Sequence, residues 1–197
     1  GLVSQLGPSA AITKIRKYTL DLYKELEKEV DHSAGLRLNG ALSIAENNGR
    51  WQELQRQATT AQLYDVDVRI LDKKQIKKDY PIINTDEVIG GILMPGDGAA
   101  DPSGVTHMLA KAARKEGAQI FEKSPVDEIL TKNGKISGVK VNGHEIECEY
   151  IVLASGMWSR QMGEKAGVSI PLYPAEHFYI ITEPIENLSK TLPVIRD

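Results

Sequence analysis

The apolar positions near the start of the chain follow helical spacing. Ser9 can cap a helix in which apolar residues recur every third or fourth position and charged residues fill the other face. This spacing predicts a helix that ends between Val30 and Ser33. The run Gly35–Ala45 predicts one strand or two, and Gly40 marks a bend or bulge within it.

Four more elements are expected between Ala45 and Pro95, each bounded by a capping residue, a glycine or a proline. They are a helix from Asn47 or Asn48 to Leu63, a strand at Val68–Leu71, a short helix that starts at Asp72 and stops before Pro81, and a strand at Val88–Met94. Helical and strand-like spacing therefore alternate along this half of the chain, which predicts a mixed α/β fold.

The segment PGDGAADP contains Gly96 and Gly98 between a predicted strand and a predicted helix. This placement resembles a dinucleotide fingerprint, but Asp101 stands where the third glycine would be. Asp101 as the N-cap and Pro102 as the first helical residue explain both side chains without a phosphate. The sequence therefore predicts a helix start here, with Gly117 as the stop at the other end, and disfavours a phosphate cradle.

Beyond Gly117, alternation with a period of two replaces helical spacing and predicts β structure. Gly117–Lys123 and Ser124–Lys132 each predict a strand. Asn133-Gly134 and Asn142-Gly143 are typical two-residue hairpin turns. The chain is therefore expected to form a three-stranded antiparallel meander that leads into a further strand.

The apolar run Tyr150–Ala154 predicts a buried strand bounded by Gly156. A short helix at Trp158–Ala166 should follow, with Gly167 after its last turn. His177–Thr182 predicts another strand. Strand, glycine turn and helix in this order are how open α/β sheets present a binding edge.

Composition and charge argue against several classes of function. The chain has 197 residues, of which 41% are hydrophobic and 26% charged, as in an ordinary globular protein. The net charge of −3 argues against a nucleic-acid partner, and no apolar run approaches the length of a membrane helix. A single cysteine excludes an internal disulfide, and the four histidines show no metal-ligand spacing.

Four stretches together resemble a known family: MPGDGAADPSGVTHMLAKAARKEGA, SPVDEI, IVLASGMWSRQMGEKAGVSIPL and HFYIITEPIENL. Their order and spacing are similar to those of flavoproteins of the glycine-oxidase and D-amino-acid-oxidase type. Within that family they look most like the sarcosine and dimethylglycine dehydrogenases. The resemblance covers nearly the whole chain and implies FAD as the cofactor.

The resemblance also implies a domain plan. Residues 1–33 would be a helical segment, and residues 34–95 part of a substrate-binding domain with a sheet and flanking helices. Residues 96–170 would form part of an FAD-binding domain with the meander, and residues 171–197 would return to the substrate domain. The family's GxGxxG unit and the histidine that carries a covalent flavin are not found in the sequence. The resemblance thus predicts a central fragment, inactive by itself.

Five residues match positions that approach the cofactor in this family. The resemblance assigns Val126 a backbone contact with the adenine of FAD, and assigns the flavin-side turn to Ala154, Ser155 and Gly156. Trp158, just after this turn, would either cover the cofactor edge or close the core. From the residues alone, Val126 is a core side chain and the turn is an ordinary strand-to-helix connection.

His177 matches a histidine near flavin and substrate in the family, and an imidazole can orient or deprotonate an amine near neutral pH. Tyr179 lies two residues further, on the same face of the predicted strand, and is the second substrate-binding candidate. Without the resemblance, a lone histidine on a strand is more often structural, and an aromatic side chain there more often fills a core.

The resemblance implies an enzyme of amino-acid catabolism that oxidises a small N-methyl amine, such as sarcosine or dimethylglycine, by hydride transfer to FAD. An oxidase of the glycine or D-amino-acid type is the first alternative, and a non-catalytic binding or assembly module is the second. The electron acceptor is unspecified. Location in the bacterial cytoplasm or the mitochondrial matrix is expected, and self-association through uncovered apolar residues is plausible.

Overall fold

The computed structural model describes residues 1–197. The chain forms two compact units. The first unit comprises Gly1–Gln119 together with Glu186–Asp197, and the second unit comprises Ile120–Ile185. Helices and strands are mixed in each unit, as the sequence predicts. The assignment of segments to a substrate domain and an FAD-binding domain stays a prediction.

The first unit is built on a four-stranded sheet and a two-stranded ribbon. Their strands are β1 (Leu2–Val3), β2 (Ala41–Ala45), β3 (Arg69–Asp72), β4 (Gly90–Met94), β5 (Gly98–Ala99) and β9 (Val194–Arg196). The sheet has the order β3–β4–β2–β9, in which β4 runs antiparallel to β2 and β3 while β9 runs parallel to β2. The ribbon pairs β1 with β5.

Side-chain caps start all four helices of the first unit at the predicted residues. Ser9 accepts from the amide of Ile12, and Asn47, Asp72 and Asp101 act in the same way at the later helices. Such caps satisfy backbone amides that the helix itself leaves without a partner. The helices are α1 (Ala10–Glu29), α2 (Asn48–Leu63), α3 (Lys73–Asp79) and α4 (Pro102–Lys115).

The core of the first unit covers both faces of its sheet. Alternate residues of a strand point to opposite faces, so β2 and β4 supply apolar side chains to each. One face packs against α2, where Leu54, Ala58 and Ala61 meet Ala45 and Ile92. The other face packs against α3 through Ile76, which clusters with Leu42, Ile44, Leu71 and Leu93.

The second unit contains the predicted meander and one short helix. Strands β6 (Val126–Lys132), β7 (Lys135–Val141) and β8 (His144–Glu147) pair in that order, all antiparallel. Both central residues of the first hairpin have positive φ, 54° at Asn133 and 74° at Gly134, as this turn requires. A 3₁₀ turn at Gly156–Trp158 leads into α5 (Ser159–Lys165), and Gly167 follows with φ 72°.

Three predicted strands are wrong. Gly117–Lys123, Tyr150–Ala154 and His177–Thr182 have no strand partner, and the second of these runs is not buried, because Tyr150 and Val152 are exposed. An extended segment becomes a strand only when a neighbour exchanges backbone hydrogen bonds with it. The apolar spacing alone does not show whether such a neighbour exists.

Candidate functional site

The segment between β4 and α4, which contains β5, packs against the chain's own backbone. A Cβ atom at Gly98 would lie 2.0 Å from the carbonyl oxygen of Arg37, so this glycine permits the chain's own backbone to pass. The carboxylate of Asp101 already accepts from the amides of Ser103 at 3.1 Å and Gly104 at 3.0 Å. The two glycines therefore serve packing, in agreement with the prediction that this turn starts a helix.

The turn at Ala154–Gly156, predicted to lie beside the flavin, is an open turn in the second unit. Gly156 has φ 55°, and no other heavy atom lies within 4 Å of the position that a Cβ would occupy. The amide of Trp158 donates to the carbonyl of Ser155 at 3.1 Å, and the hydroxyls of Ser155 and Ser159 lie 3.2 Å apart. Ala154 is exposed, as is 62% of Trp158. Ser155, Gly156 and Trp158 are thus brought together.

These residues fit one part of FAD and not all of it. The bare backbone at Gly156 and the exposed ring of Trp158 can accept the approach of a flat ligand. FAD also needs a set of free backbone amides for its pyrophosphate. The turn between β4 and α4, which most resembles such a set in the sequence, is already capped by Asp101. This turn therefore has no free amides for a pyrophosphate, and the approach of FAD to the Gly156 turn stays a prediction.

Val126 lies at the first position of β6, half-buried and paired with Val141. The register shifts between Val126 and Glu128, which marks a bulge at this end of the strand. On the outer edge of β6, the amine of Lys165 donates to the carbonyl of Asp127 at 2.6 Å. No hydrogen bond links Val126 to the Gly156 turn, and its role toward adenine stays a prediction.

His177 and Tyr179 lie in an extended segment that pairs with no strand. Both side chains are exposed, Tyr179 to 83%, and neither forms a hydrogen bond. No contact joins either residue to the Gly156 turn. Their exposure does not support the alternative that they fill a core within the second unit.

A group of charged residues in the first unit was not predicted from the sequence. Asp97 is only 3% exposed, and its carboxylate accepts from the amide of Gln5 at 2.8 Å. Burial raises the pKa of the Asp97 carboxyl, while the Gln5 hydrogen bond and the positive charges of Arg196 and Arg16 oppose that rise. The available signal was a carboxylate between two glycines directly after a buried strand, which is too common a pattern to single out.

Asp97, Arg16 and Arg196 line a cavity of about 80 Å³ with two serines and a glutamine. Arg16 donates to the carbonyl of Leu6 and to the hydroxyl of Ser4, the latter at 3.2 Å. The residues come from the N-terminal segment, two helices, two strands and the turn after β4. No local spacing relates them, so only the fold brings them together.

His32, in the segment after α1, and His107, in the middle of α4, also meet. The rings of His32 and His107 lie 6.2 Å apart in an edge-to-face arrangement. No sequence pattern pairs them, because they are far apart along the chain. The contact is a packing interaction between helix α4 and the segment that follows α1.

Comparison with known proteins gives matches along the whole chain. Human mitochondrial sarcosine dehydrogenase is 34% identical over 203 residues, covering 100% of this chain and 22% of that protein. The 4-methylaminobutanoate oxidase (formaldehyde-forming) of Paenarthrobacter nicotinovorans is 34% identical over 197 residues, covering 100% and 24%. The mouse mitochondrial pyruvate dehydrogenase phosphatase regulatory subunit is 30% identical over 200 residues, covering 100% and 23%.

Solved structures show the same fold. L-proline dehydrogenase from P. horikoshii superposes with a TM-score of 0.78 at 25% identity, covering 84% of this chain and 44% of that chain. Glycine oxidase from Geobacillus kaustophilus superposes with a TM-score of 0.74 at 24% identity, covering 88% and 48%. The likeness to the second structure supports the fold alone.

The chain spans less than a quarter of the length of the curated relatives it matches. The model of one family, described as DAO, FAD dependent oxidoreductase, matches residues 1–197. The resemblance found in the sequence is therefore confirmed over the full chain, and the chain belongs to this family of FAD dependent oxidoreductases, whose cofactor is FAD.

Proposed function

We propose that this protein oxidises small N-methylated amino acids. One observation carries the proposal: two relatives at 34% identity are named for sarcosine and for 4-methylaminobutanoate, both of which join a methylamino group to a carboxylate. The shared chemistry is an amine whose N-methyl group can be oxidised while the carboxylate provides a handle for binding. Dimethylglycine belongs to the same class.

The oxidation removes two electrons and two protons from the N-methyl group and its nitrogen. One carbon–hydrogen bond breaks, a carbon–nitrogen double bond forms, and water then releases formaldehyde and the demethylated amine. When bound, FAD supplies the acceptor for the two electrons. The protein's task is to bind the amine in its neutral form, orient the methyl group and exclude water.

His177 is the residue to which we assign the handling of the amine. Its exposed imidazole has no hydrogen-bond partner in the chain, so its nitrogens are available to a ligand. An imidazole can accept the proton of a methylammonium group near neutral pH and leave the neutral amine that oxidation requires. Tyr179, two residues further and equally exposed, would contact the substrate, and Trp158 with Ala154–Gly156 would meet the cofactor.

An oxidase is the alternative within the same chemistry. A dehydrogenase and an oxidase share the oxidation of the amine and differ in what removes the electrons afterwards. One relative named above is called a dehydrogenase and another an oxidase, at equal identity. Reoxidation of the reduced protein by dissolved oxygen, followed with a stopped-flow spectrometer, separates the two.

A non-catalytic role is the second candidate, because one relative is named as the regulatory subunit of a phosphatase. At 30% identity over the same residues, that relative shows that the family scaffold occurs in a protein whose name describes regulation. On this hypothesis the chain would serve as a binding or assembly module, and His177 would have no role in amine oxidation.

The test is a titration of the flavin absorbance of the whole protein with sarcosine and dimethylglycine. Bleaching of the oxidised flavin band without oxygen, together with formaldehyde release, is the expected result. Bleaching by glycine or a D-amino acid instead would favour the oxidase alternative. A bound flavin that no amine reduces would favour the non-catalytic module and contradict the proposal.

We also propose that residues 1–197 by themselves retain no FAD, since Asp101 already caps the turn that most resembles a phosphate cradle in the sequence. The measurement is the flavin absorbance of the isolated chain after dialysis. A stoichiometric yellow complex would contradict this proposal. The same isolated chain should self-associate through the exposed apolar residues near Val152 and Ile180, which sedimentation at increasing concentration would detect.

No helix of the structure is both long and apolar enough to cross a membrane. The relatives include proteins named as mitochondrial and one from a bacterium. On this basis we propose that the protein acts in a mitochondrial matrix or a bacterial cytoplasm. Fractionation of the source cells tests the proposal.

A further inference from the structure

Helix α1 carries apolar side chains on two opposite faces. Thr13 and Leu20 lie on the face that is buried within the first unit, and they are only 2% and 1% exposed. On the opposite side of the helix, Ile15 and Tyr18 are 58% and 67% exposed. A surface helix ordinarily presents charged and polar residues on that side. The outer face of α1 therefore has the character of a contact surface.

Four residues of this outer face follow the spacing of a coiled-coil seam. They are separated by four, three and four positions, so they form one line along about 17 Å of the helix. Three of them are exposed and the last is half-buried. We call them the outer seam, which consists of Ala11, Ile15, Tyr18 and Leu22. A seam with this spacing can pack against a second helix through interlocking side chains.

Charges of both signs flank the outer seam along one edge. Lys14 and Asp21 are exposed and seven positions apart, so they lie on the same edge, two turns from each other. Asp21 pairs with Lys24 of the same helix at 3.3 Å, and an exposed pair of this kind contributes little to stability. The other edge of the seam holds Ile12 and Thr19, which carry no charge. The charged edge thus offers one cation and one anion to a partner helix.

We propose that the outer seam packs antiparallel against the same seam of a second copy of this chain, about a two-fold axis. In this register Ile15 faces Tyr18 of the second copy, and Ala11 faces Leu22 of the second copy. Each layer joins a smaller side chain to a larger one, which lets the two seams interdigitate. Lys14 lies beside Asp21 of the second copy, and the two-fold axis repeats this ion pair.

The antiparallel pairing with a second copy suits the charges better than the alternatives. In a parallel pair, the charged edge of one helix meets the uncharged edge of the other. Lys14 would then lie beside Thr19 of the second copy, and Asp21 beside Leu26 of the second copy, so neither charge would gain a partner. A helix of a different protein would need its own anion and cation at the matching distance, whereas a second copy of α1 supplies both.

The test is sedimentation equilibrium of the 197-residue chain at low ionic strength, where exposed charges are least screened. The parent chain should form a reversible dimer. Lys14→Asp and Asp21→Lys each place like charges in both symmetry-related pairs, so each should weaken the dimer by about tenfold. An equal mixture of these two variants should recover nearly the parent affinity, because every facing pair is then of opposite sign. Only the antiparallel register predicts this recovery.

A third variant and a control separate the seam from other exposed surfaces. Ile15→Gln keeps a good helix former but removes one apolar side chain from each copy, so it should weaken the dimer by about a hundredfold. Lys74→Asp, a charge reversal at an exposed position of α3, should leave the dimer unchanged. Circular dichroism and the melting temperature establish that the variants are folded. Association through the exposed residues near Val152 and Ile180 would respond to none of these changes.

Three results would overturn the proposal. A parent chain that stays monomeric at every concentration would show that the outer seam does not bind a second copy. Association that survives Ile15→Gln unchanged would place the contact elsewhere on the chain. Charge variants that associate like the parent, or whose mixture shows no recovery, would exclude the antiparallel register. None of these readouts needs flavin or an amine, so they do not depend on the proposed oxidation.

Discussion

The two units of the chain differ most in the burial of their apolar side chains. Every buried apolar side chain except Ile129 lies in the first unit, where helices cover both faces of a four-stranded sheet. In the second unit, Tyr150, Val152, Phe178 and Ile180 are almost completely exposed. Segments of similar apolar character are therefore buried in the first unit and exposed in the second.

The difference lies in the availability of strand partners. In the first unit the apolar run of β4 lies between β2 and β3, so its backbone groups are paired and its side chains are covered on both faces. The runs Tyr150–Ala154 and His177–Thr182 are as apolar, but no strand pairs with them. An apolar run therefore shows the capacity to form a buried strand, and the tertiary context decides whether the strand forms.

The largest effect is expected for a substitution of His177, in the exposed run His177–Thr182, and it should change the reaction rate without changing stability. Under the proposed function, His177→Asn should lower the rate of flavin reduction in the whole protein by about 10²–10⁴-fold, the typical contribution of a positioned acid–base group. It should leave the melting temperature nearly unchanged, because the exposed side chain has no partner to lose. Stopped-flow reduction by sarcosine measures the rate.

The neighbouring variant Glu176→Gln is the control, since it alters an exposed charge next to His177 without touching the imidazole. It should keep the parent rate. A variant that reduces flavin at the parent rate, or one destabilised by several kcal/mol, would assign His177 to packing.

Local sequence signals predicted most of the elements. Ser9, Asn47, Asp72 and Asp101 cap helices where the sequence placed them, because an N-cap needs only a side chain and amides two or three residues away. The Asn-Gly hairpins of the meander are confirmed for the same reason. These features depend on neighbours in sequence.

Features that depend on distant residues were not predicted. The three wrong strands each needed a partner that no spacing can reveal. The cluster of Asp97, Arg16 and Arg196 joins segments from both ends of the chain and its middle. No local sequence motif can therefore predict it. The predicted site residues came from family resemblance, and the structure brings together only those of the turn at Ser155–Trp158.

The next prediction tests the difference in burial directly. Leu54→Ala in α2 should destabilise the chain by about 2–5 kcal/mol, because Leu54 is 0% exposed and its truncation leaves a cavity between helix and sheet. Val152→Ala, at a side chain that is 90% exposed, should change stability by no more than about 0.5 kcal/mol. Urea unfolding followed by circular dichroism gives both values. A large loss at Val152 would mean that this segment is covered in solution.

A smaller effect is expected where the two units start their helices differently. Asp101→Ala should cost about 1 kcal/mol, because the carboxylate caps two amides of α4, and Asp101→Asn should recover most of it. Ser155 precedes the 3₁₀ turn without a side-chain cap, so Ser155→Ala should be close to neutral. Thermal unfolding of the three variants makes the comparison. An equal loss at both positions would contradict the assigned caps.

The smallest effect concerns the pH dependence of stability at Asp97. Burial raises the pKa of this carboxyl in the folded chain above its unfolded value, which is about 3.9. The folded state therefore binds more protons than the unfolded state between these two pKa values, so the contribution of Asp97 to stability is lost as pH rises through that window. Asp97→Asn cannot ionise, yet its amide oxygen can still accept from the amide of Gln5.

The melting temperature of the Asn variant, relative to that of the parent, should consequently increase as the pH rises from about 3 toward neutrality. Both melting temperatures are measured at a series of pH values and at one ionic strength. Other titrating groups affect both proteins equally, and the difference between the two curves isolates Asp97. The opposite slope would mean that Arg16 and Arg196 together outweigh burial and hold the carboxylate in its charged form. In that case the folded state would favour the ionised group, and its stabilising contribution would be lost at acid pH instead. The sign of the slope therefore decides between burial and the two guanidiniums.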